Sequence, residues 1–291
     1  MFMVDQKILG ILFGVCAGAM WAAEAVLGKI LFSSFSFVQV TASEVFFAAL
    51  TASAYVLASN KQLKLDSRGF GNILVVGLVG TVFAPLIYFF GLSQTFAINA
   101  TLIAHLQPLF VAVFGFCFLK ERLHRHDFVG GVLIILAAIL ITSRTIYNLA
   151  TFRFGNFGDL MVFFAMLSWA VVAIPGKRLT GQTSSVAIVC YRFLIASVVL
   201  VPVLLYLNQF IISSIFQVLL GVLVGLGYIF YYEGLKRIKS SQVALTELSS
   251  PFFTAILAWN LLGETIVPMQ MIGALLLISG LYILTREKPE Q

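Results

Sequence analysis

Tyr88–Phe110, YFFGLSQTFAINATLIAHLQPLF, and the FLKERLHRHDFVGG that follows at 118–131 decide the fold, because they are written twice. From Tyr231 the chain reads YYEGLKRIKSSQVALTELSSPFF, then LLGETIVPMQMIGA at 261–274. Gly91 answers to Gly234, Pro108 to Pro251, Glu121 to Glu264 and Gly130 to Gly273, always 143 residues apart. Glycine and proline constrain the backbone, and a glutamate beside an apolar run is unusual. Four such matches without a gap indicate a duplication. The first two apolar runs of each half also correspond, at a spacing of 148: Trp21 with Trp169, Gly28–Lys29 with Gly176–Lys177, and Glu44 with Arg192. The slip of five residues falls near 59–70.

Outward from this block the chain is overwhelmingly apolar. Hydrophobic residues make up 60% and charged residues 10% of its 291 positions, with a mean hydropathy of +1.03. Soluble domains carry about 25% charged residues, and one soluble core cannot bury so much apolar surface. The expected fold class is therefore all-α integral membrane protein, since the alternating ten-residue segments of a β-barrel are missing. Ten apolar runs, each able to cross about 30 Å of hydrocarbon, are predicted at 8–29, 38–58, 71–90, 97–118, 127–143, 159–176, 185–206, 213–233, 242–262 and 268–285. The first is too long for the apolar region of a signal peptide and carries Glu24, so it reads as a retained span. Cys16, Cys117 and Cys190 lie in apolar runs without metal-type spacing and read as small packing residues.

Lysine and arginine set the orientation. With a cytoplasmic N-terminus, 14 of the 18 basic residues fall on inside segments, and the outside loops keep only Arg144 and Arg153. Both termini are then expected inside. The net charge of +6 is thereby a topology signal rather than a nucleic-acid footprint. Five spans per half, an odd number, place the halves upside down relative to one another. Equivalent loops bear this out in charge: LKERLHRHD is basic where LGETIVPMQ has no Lys or Arg, and GLSQTFAIN is neutral where GLKRIKSSQ is basic. The expected organisation is a first five-helix repeat at 1–144, an outer connection at 145–158 and a second repeat at 159–291. Inverted helical repeats are a signature of secondary transporters, with a substrate site near the midplane.

At these residues the chain resembles the EamA-type drug/metabolite transporters. The resemblance is carried by the repeated small-residue helix with a central proline (Pro108, Pro251), by the glutamate at its end (Glu121, Glu264) and by the glycine beyond (Gly130, Gly273). Tyr191-Arg192-Phe193 of the seventh run is also typical, and the first half departs there with Ser43-Glu44-Val45. The resemblance implies ten helices in two inverted halves, alternating access, and the movement of small metabolites, amino acids prominent among them and mostly outward.

Ionisable groups inside spans cost about 2.5–3.5 kcal/mol on insertion scales, so each needs a reason. Counted along the helices, Glu24, Glu44, His105 and Tyr88 fall in the outer half, with Trp21 one turn from Glu24. Arg192 and Glu247 fall in the inner half. Carboxylates beside aromatic rings suit a cationic or ammonium-bearing solute, or a proton. The candidate substrate-binding residues are Trp21, Glu24, Tyr88, His105 and Trp169. Candidates for proton coupling or gating are Glu24, His105, Arg192 and Glu247, with Pro108 and Pro251 as hinges. Plainer readings stand beside these: Lys29 as the ion-pair partner of Glu24 or Glu44, Arg192 paired with Glu247, and static proline kinks. Glu233 sits three and four residues before Lys236 and Arg237, an interfacial helix pair. Gly10, Gly14 and Gly18 let the first helix approach a neighbour closely.

The expected function is outward transport of a small polar or zwitterionic metabolite, an amino acid or related amine, with a proton as candidate coupling ion. An importer or facilitator of an organic cation is the alternative, and a non-transporting membrane assembly partner a remote one. An enzyme is not expected, because the spans hold no Asp pair, HExxH, Cys/His cluster or P-loop. The partners implied are a small-molecule substrate and the lipid bilayer of a prokaryotic inner membrane. No cofactor, metal or nucleic acid is called for, and nothing sets an oligomeric state.

Overall fold

The structure is a computed structural model that describes residues 6–59, 63, 69–119, 125–152, 155–238, 243 and 246–284. Glu121 and several of the basic residues used to orient the chain, including Lys61, Lys64, Lys120, Arg153 and Lys288, lie outside these. Among the described residues there are helices and no strands. They are α1 (Gln6–Leu31), α2 (Phe37–Ser59), α3 (Phe70–Gln94), α4 (Ala97–Ala104), α5 (Gln107–Leu119), α6 (Arg125–Ser143), α7 (Ile146–Ala150), α8 (Phe157–Thr180), α9 (Ser185–Tyr206), α10 (Ile215–Leu235), α11 (Ser249–Leu262) and α12 (Pro268–Leu284). Six of them, α1, α2, α3, α8, α9 and α10, are long and apolar enough to cross a membrane. Four shorter apolar helices occupy 97–111, 128–143, 249–262 and 268–283. The run predicted at 97–118 breaks at His105–Leu106 into α4 and α5, and the connection expected at 145–158 holds the short helix α7.

Hydrocarbon offers no hydrogen bonds, so a helix end that lies within it needs a partner in the protein. Several ends receive one locally. Asn156 and Asp159 form a reciprocal capping box on α8, as do Ser214 and Gln217 on α10, and Ser184 caps α9. Two ends are served from far along the chain. The carboxylate of Glu264 accepts the N–H groups of Ala97 and Ile98 at 2.9 and 3.2 Å, capping the start of α4. Lys29 Nζ donates to the carbonyls of Leu92 and Thr95 at 3.2 and 2.6 Å, capping the end of α3. Glu264, the glutamate at the end of the second repeated helix, is thus buried.

Each long helix of the first half packs on helices of the second. α1 lies against α10 and α11, α2 against α9 and α10, α3 against α8, and α6 against α12. Small residues make these contacts close. Gly10, Gly14 and Gly18 face Ile238, Thr246 and Ser249, so the glycine face of α1 meets its neighbour as expected. Gly91 and Gly158 stand back to back: a Cβ on either would lie 2.6 Å from the carbonyl oxygen of the other. Large apolar side chains such as Leu57, Val198 and Trp259 face outward, while polar Glu44, Thr81 and Arg192 are buried. That inversion of the soluble pattern is what a lipid surround selects. Cys190 is buried against Ser53, whereas Cys16 and Cys117 are exposed and do not act as packing residues.

α3 is not uniform. Leu78–Phe83 form a wide π-helical stretch, with the Thr81 hydroxyl donating to the Val76 carbonyl at 3.0 Å. Such turns leave carbonyls available for side chains of other helices and recur at functional positions.

Candidate functional site

The carbonyl of Gly80, within the wide turn of α3, accepts two side chains. Trp169 Nε1 of α8 donates to it at 3.1 Å and Arg192 Nη2 of α9 at 3.3 Å. Arg192 Nε donates to Thr81 Oγ1 at 2.9 Å, and its guanidinium lies 3.8 Å from the centre of the Tyr228 ring on α10. Tyr232 lies within electrostatic reach of the same side chain. A guanidinium stacked on an aromatic face and held by fixed acceptors is well ordered. From Tyr228 the contacts continue to the Trp21 ring on α1, 4.7 Å away, and Trp21 Nε1 donates to Glu247 Oε1 at 2.9 Å. On the α3 side, Tyr88 packs on Trp169 with ring centres 5.4 Å apart.

Two carboxylates complete the group. Glu24 on α1 and Glu44 on α2 each lie within electrostatic reach of Arg192 and of one another. Tyr88 and Tyr228 lie within reach of both. Glu24, Glu247, His105, Tyr228, Trp21 and Trp169 are set deep in the protein yet retain part of their accessible surface. Side chains in that condition border accessible space, and Glu24, Glu247 and the aromatic rings do so here, with Glu44, Arg192 and Tyr88 buried directly behind them.

The two broken helices meet beside it. Pro251 lacks the N–H that would bond the Glu247 carbonyl one turn back, and that carbonyl oxygen lies 3.0 Å from His105 Nε2. His105 Nδ1 lies 2.7 Å from the Thr101 carbonyl. The imidazole therefore sits between a carbonyl of its own helix and the carbonyl exposed by the other break. Thr254 and Thr101 hydroxyls join the same helices at 3.2 Å, and the Ser250 hydroxyl is buried without a partner.

Trp21, Glu24, Tyr88, His105, Trp169, Arg192 and Glu247 are thus linked through one set of contacts, but several of the partners expected for them differ. Arg192 does not pair with Glu247: it is taken by Thr81, Gly80 and Tyr228, and Glu247 by Trp21. Lys29 serves neither Glu24 nor Glu44, because it caps α3. Counting depth along straight helices separated Arg192 from the two carboxylates, whereas packing of α9 on α2 brings them into one cluster. Glu233 does bind Lys236 and Arg237, at 3.2 and 2.6 Å. Gly80, Thr81, Tyr228 and Tyr232 were not foreseen. LVGTVF at 78–83 carries no mark of a wide turn, and YIFYY at 228–232 looks like any aromatic packing run.

The match to the EamA-like transporter family covers residues 8–143 and again 156–286, nearly the whole chain in two copies. The chain belongs to the EamA-like transporter family. Among relatives, an uncharacterized transporter of Methanothermobacter thermautotrophicus is 28% identical, over 96% of this chain and 87% of its own. The pseudopaline exporter CntI of Pseudomonas aeruginosa is 26% identical, over 80% of this chain and 81% of its own. A solved crystal structure with 18% identity has the same fold, with a TM-score of 0.68 over 94% of this chain and 96% of that one. Membership makes this EamA-like chain a multi-pass membrane transporter of a small molecule and not an enzyme.

Proposed function

We propose that this transporter carries a small polar or zwitterionic metabolite with an ammonium group, an amino acid or related amine, outward by alternating access. The observation that carries the reading is the cleft in which Glu24, Glu44 and Arg192 are enclosed by Trp21, Tyr88, Trp169 and Tyr228. Its walls come from both halves of the chain. An ammonium group is drawn by the Glu24 and Glu44 carboxylates and held against ring faces, while the polar remainder meets the hydroxyl of Tyr228.

The architecture we propose is ten spans, with 1–144 and 159–291 as inverted five-helix repeats, 145–158 between them outside, and both termini in the cytoplasm of a prokaryotic cell. The packing of helices supports it: α1 on α10 is matched by α3 on α8, and α2–α9 and α6–α12 pair equivalent runs. Pro108 and Pro251 serve as hinges, and the breaks at His105–Leu106 and at Leu248 give them room to bend. His105 and Glu247 tie the two breaks together, so a proton reaching Glu24, His105 or Glu247 would couple occupancy to the bend. Outward direction is supported by the relative named as an exporter.

The test is flux in liposomes containing the purified protein, loaded in turn with radiolabelled amino acids, monoamines and sugars. Saturable movement of an ammonium-bearing solute, lost in Glu24→Gln and driven by a pH gradient, is the expected result. Movement confined to neutral solutes would end the reading. The crowding of two carboxylates around an already engaged Arg192 favours one second reading, facilitated uptake of an organic cation. Opposite loading of the same vesicles separates the two by direction.

A further inference from the structure

Glu44 is 2% exposed, and its Oε2 has no hydrogen-bond partner. Such an oxygen deep in a membrane protein is costly to leave bare, so something absent from the polypeptide is expected to meet it. Among the described residues, the cations Lys29 and Arg192 are committed elsewhere. Lys29 is held by two carbonyls at the end of α3, and Arg192 by Thr81, Gly80 and the Tyr228 face. The groups that face Glu44 from neighbouring elements are Glu24 of α1, Tyr88 of α3, Arg192 of α9 and Tyr228 of α10. With both carboxylates ionised, Glu24, Glu44 and Arg192 leave the cluster one positive charge short, and either a proton or a cation makes it up.

We infer that Glu44 is a shared acceptor for either one proton or one primary ammonium group of the transported solute, and that the two exclude each other. The exchange balances. A protonated Glu44 gives its proton to solvent as the N–H of R–NH3+ takes its place on Oε2, and net charge in the cleft is unchanged. A primary ammonium suits the site better than a quaternary one, because the bare oxygen calls for an N–H donor and a methylated nitrogen has none. The neighbouring aromatic rings then accept the organic part. This inference rests on the transporter reading above, and it adds the preference for a primary ammonium and the residue that recognises it.

The experiment uses the full-length protein in detergent with phenethylamine, its neutral analogue phenethyl alcohol and its trimethylammonium analogue. Proton release into weakly buffered solution and the shift in melting temperature are recorded for each. Phenethylamine is expected to bind at least ~10-fold more tightly than either analogue and to release about one proton. Its apparent Kd should rise about 10-fold for each unit the pH falls below the range where Glu44 ionises. Glu44→Gln should abolish both the proton release and the pH dependence, while Glu44→Asp keeps them, which separates loss of the acceptor from misfolding. Equal binding of amine and alcohol would overturn the ammonium class. Unchanged proton release in Glu44→Gln would overturn the role of Glu44. In liposomes, pH-dependent amine flux persisting in Glu44→Gln would remove Glu44 but leave transport standing. Absence of flux in the wild type, with proton release intact, would remove transport but leave the binding site standing.

Discussion

The two copies of the family domain keep the same backbone punctuation, with Lys29 matched by Lys177 and Glu121 by Glu264, and differ at the ionisable positions that build the site. Pro108 and Pro251 occupy equivalent positions, as do Gly91 and Gly234. Yet His105 stands where the second copy has Leu248, Glu247 where the first has Ala104, and Glu44 where the second has Arg192. In three dimensions these unshared residues find each other: His105 meets the Glu247 carbonyl, and Arg192 lies within reach of Glu44. Duplicated residues shape the scaffold, and divergence between the copies supplies complementary chemistry to a single cleft.

The sharpest way to break this comparison is Arg192→Ala. It strips the Gly80 carbonyl and Thr81 of a donor and leaves two carboxylates without a counter-charge. Breaking a buried charged arrangement from one side costs about 3–5 kcal/mol, so a large fall in melting temperature in detergent is expected. Next come the paired glycines. Gly91→Ala places a Cβ 2.6 Å from the Gly158 carbonyl, whereas at Gly234 the nearest atom would be 3.4 Å away. Thermal melting should show Gly91→Ala destabilised by ~1–3 kcal/mol and Gly234→Ala unchanged or slightly stabilised by helix propensity. Equal effects would mean that the copies pack alike.

Smaller is the cap that the second copy lends to the first. Glu264→Ala leaves the Ala97 and Ile98 N–H groups bare at the start of α4 and should cost about 1–2 kcal/mol. Hydrogen exchange localised to 97–101 would identify the loss. Smallest in stability, but informative for movement, is Pro251→Ala. A restored N–H can bond the Glu247 carbonyl and compete with His105 for it. The variant should melt within about 1 kcal/mol of the wild type while solute flux in liposomes slows several-fold. Wild-type flux would show that the break is a static kink.

Class, helix runs and duplication were readable because they rest on composition and on residues that constrain the backbone whatever surrounds them. A disturbance at each proline was readable too, since proline removes a known hydrogen bond, but the full interruption of 97–118 at His105–Leu106 was not. Partners were not. Whether Lys29 faces Glu44 or the end of α3 depends on how α1 is rotated about its axis, and each residue along a helix turns that face by about 100°. Apolar all round, these helices leave no polar stripe from which to read the rotation. Arg192 was misassigned to Glu247 for the same reason, and Tyr228 went unnoticed because an aromatic residue in a span is ordinarily packing.

The wide turn at 78–83 also sets the phase of everything after it in α3. Rewinding it to a regular helix would turn the remainder of the rod by roughly a quarter of a revolution or more relative to its beginning. Tyr88 would swing off Trp169, and the bare face of Gly91 off Gly158. The helix therefore behaves like a key cut with one offset notch: rewinding that turn with all its residues retained would preserve the length needed to cross the bilayer and still fail to fit the lock.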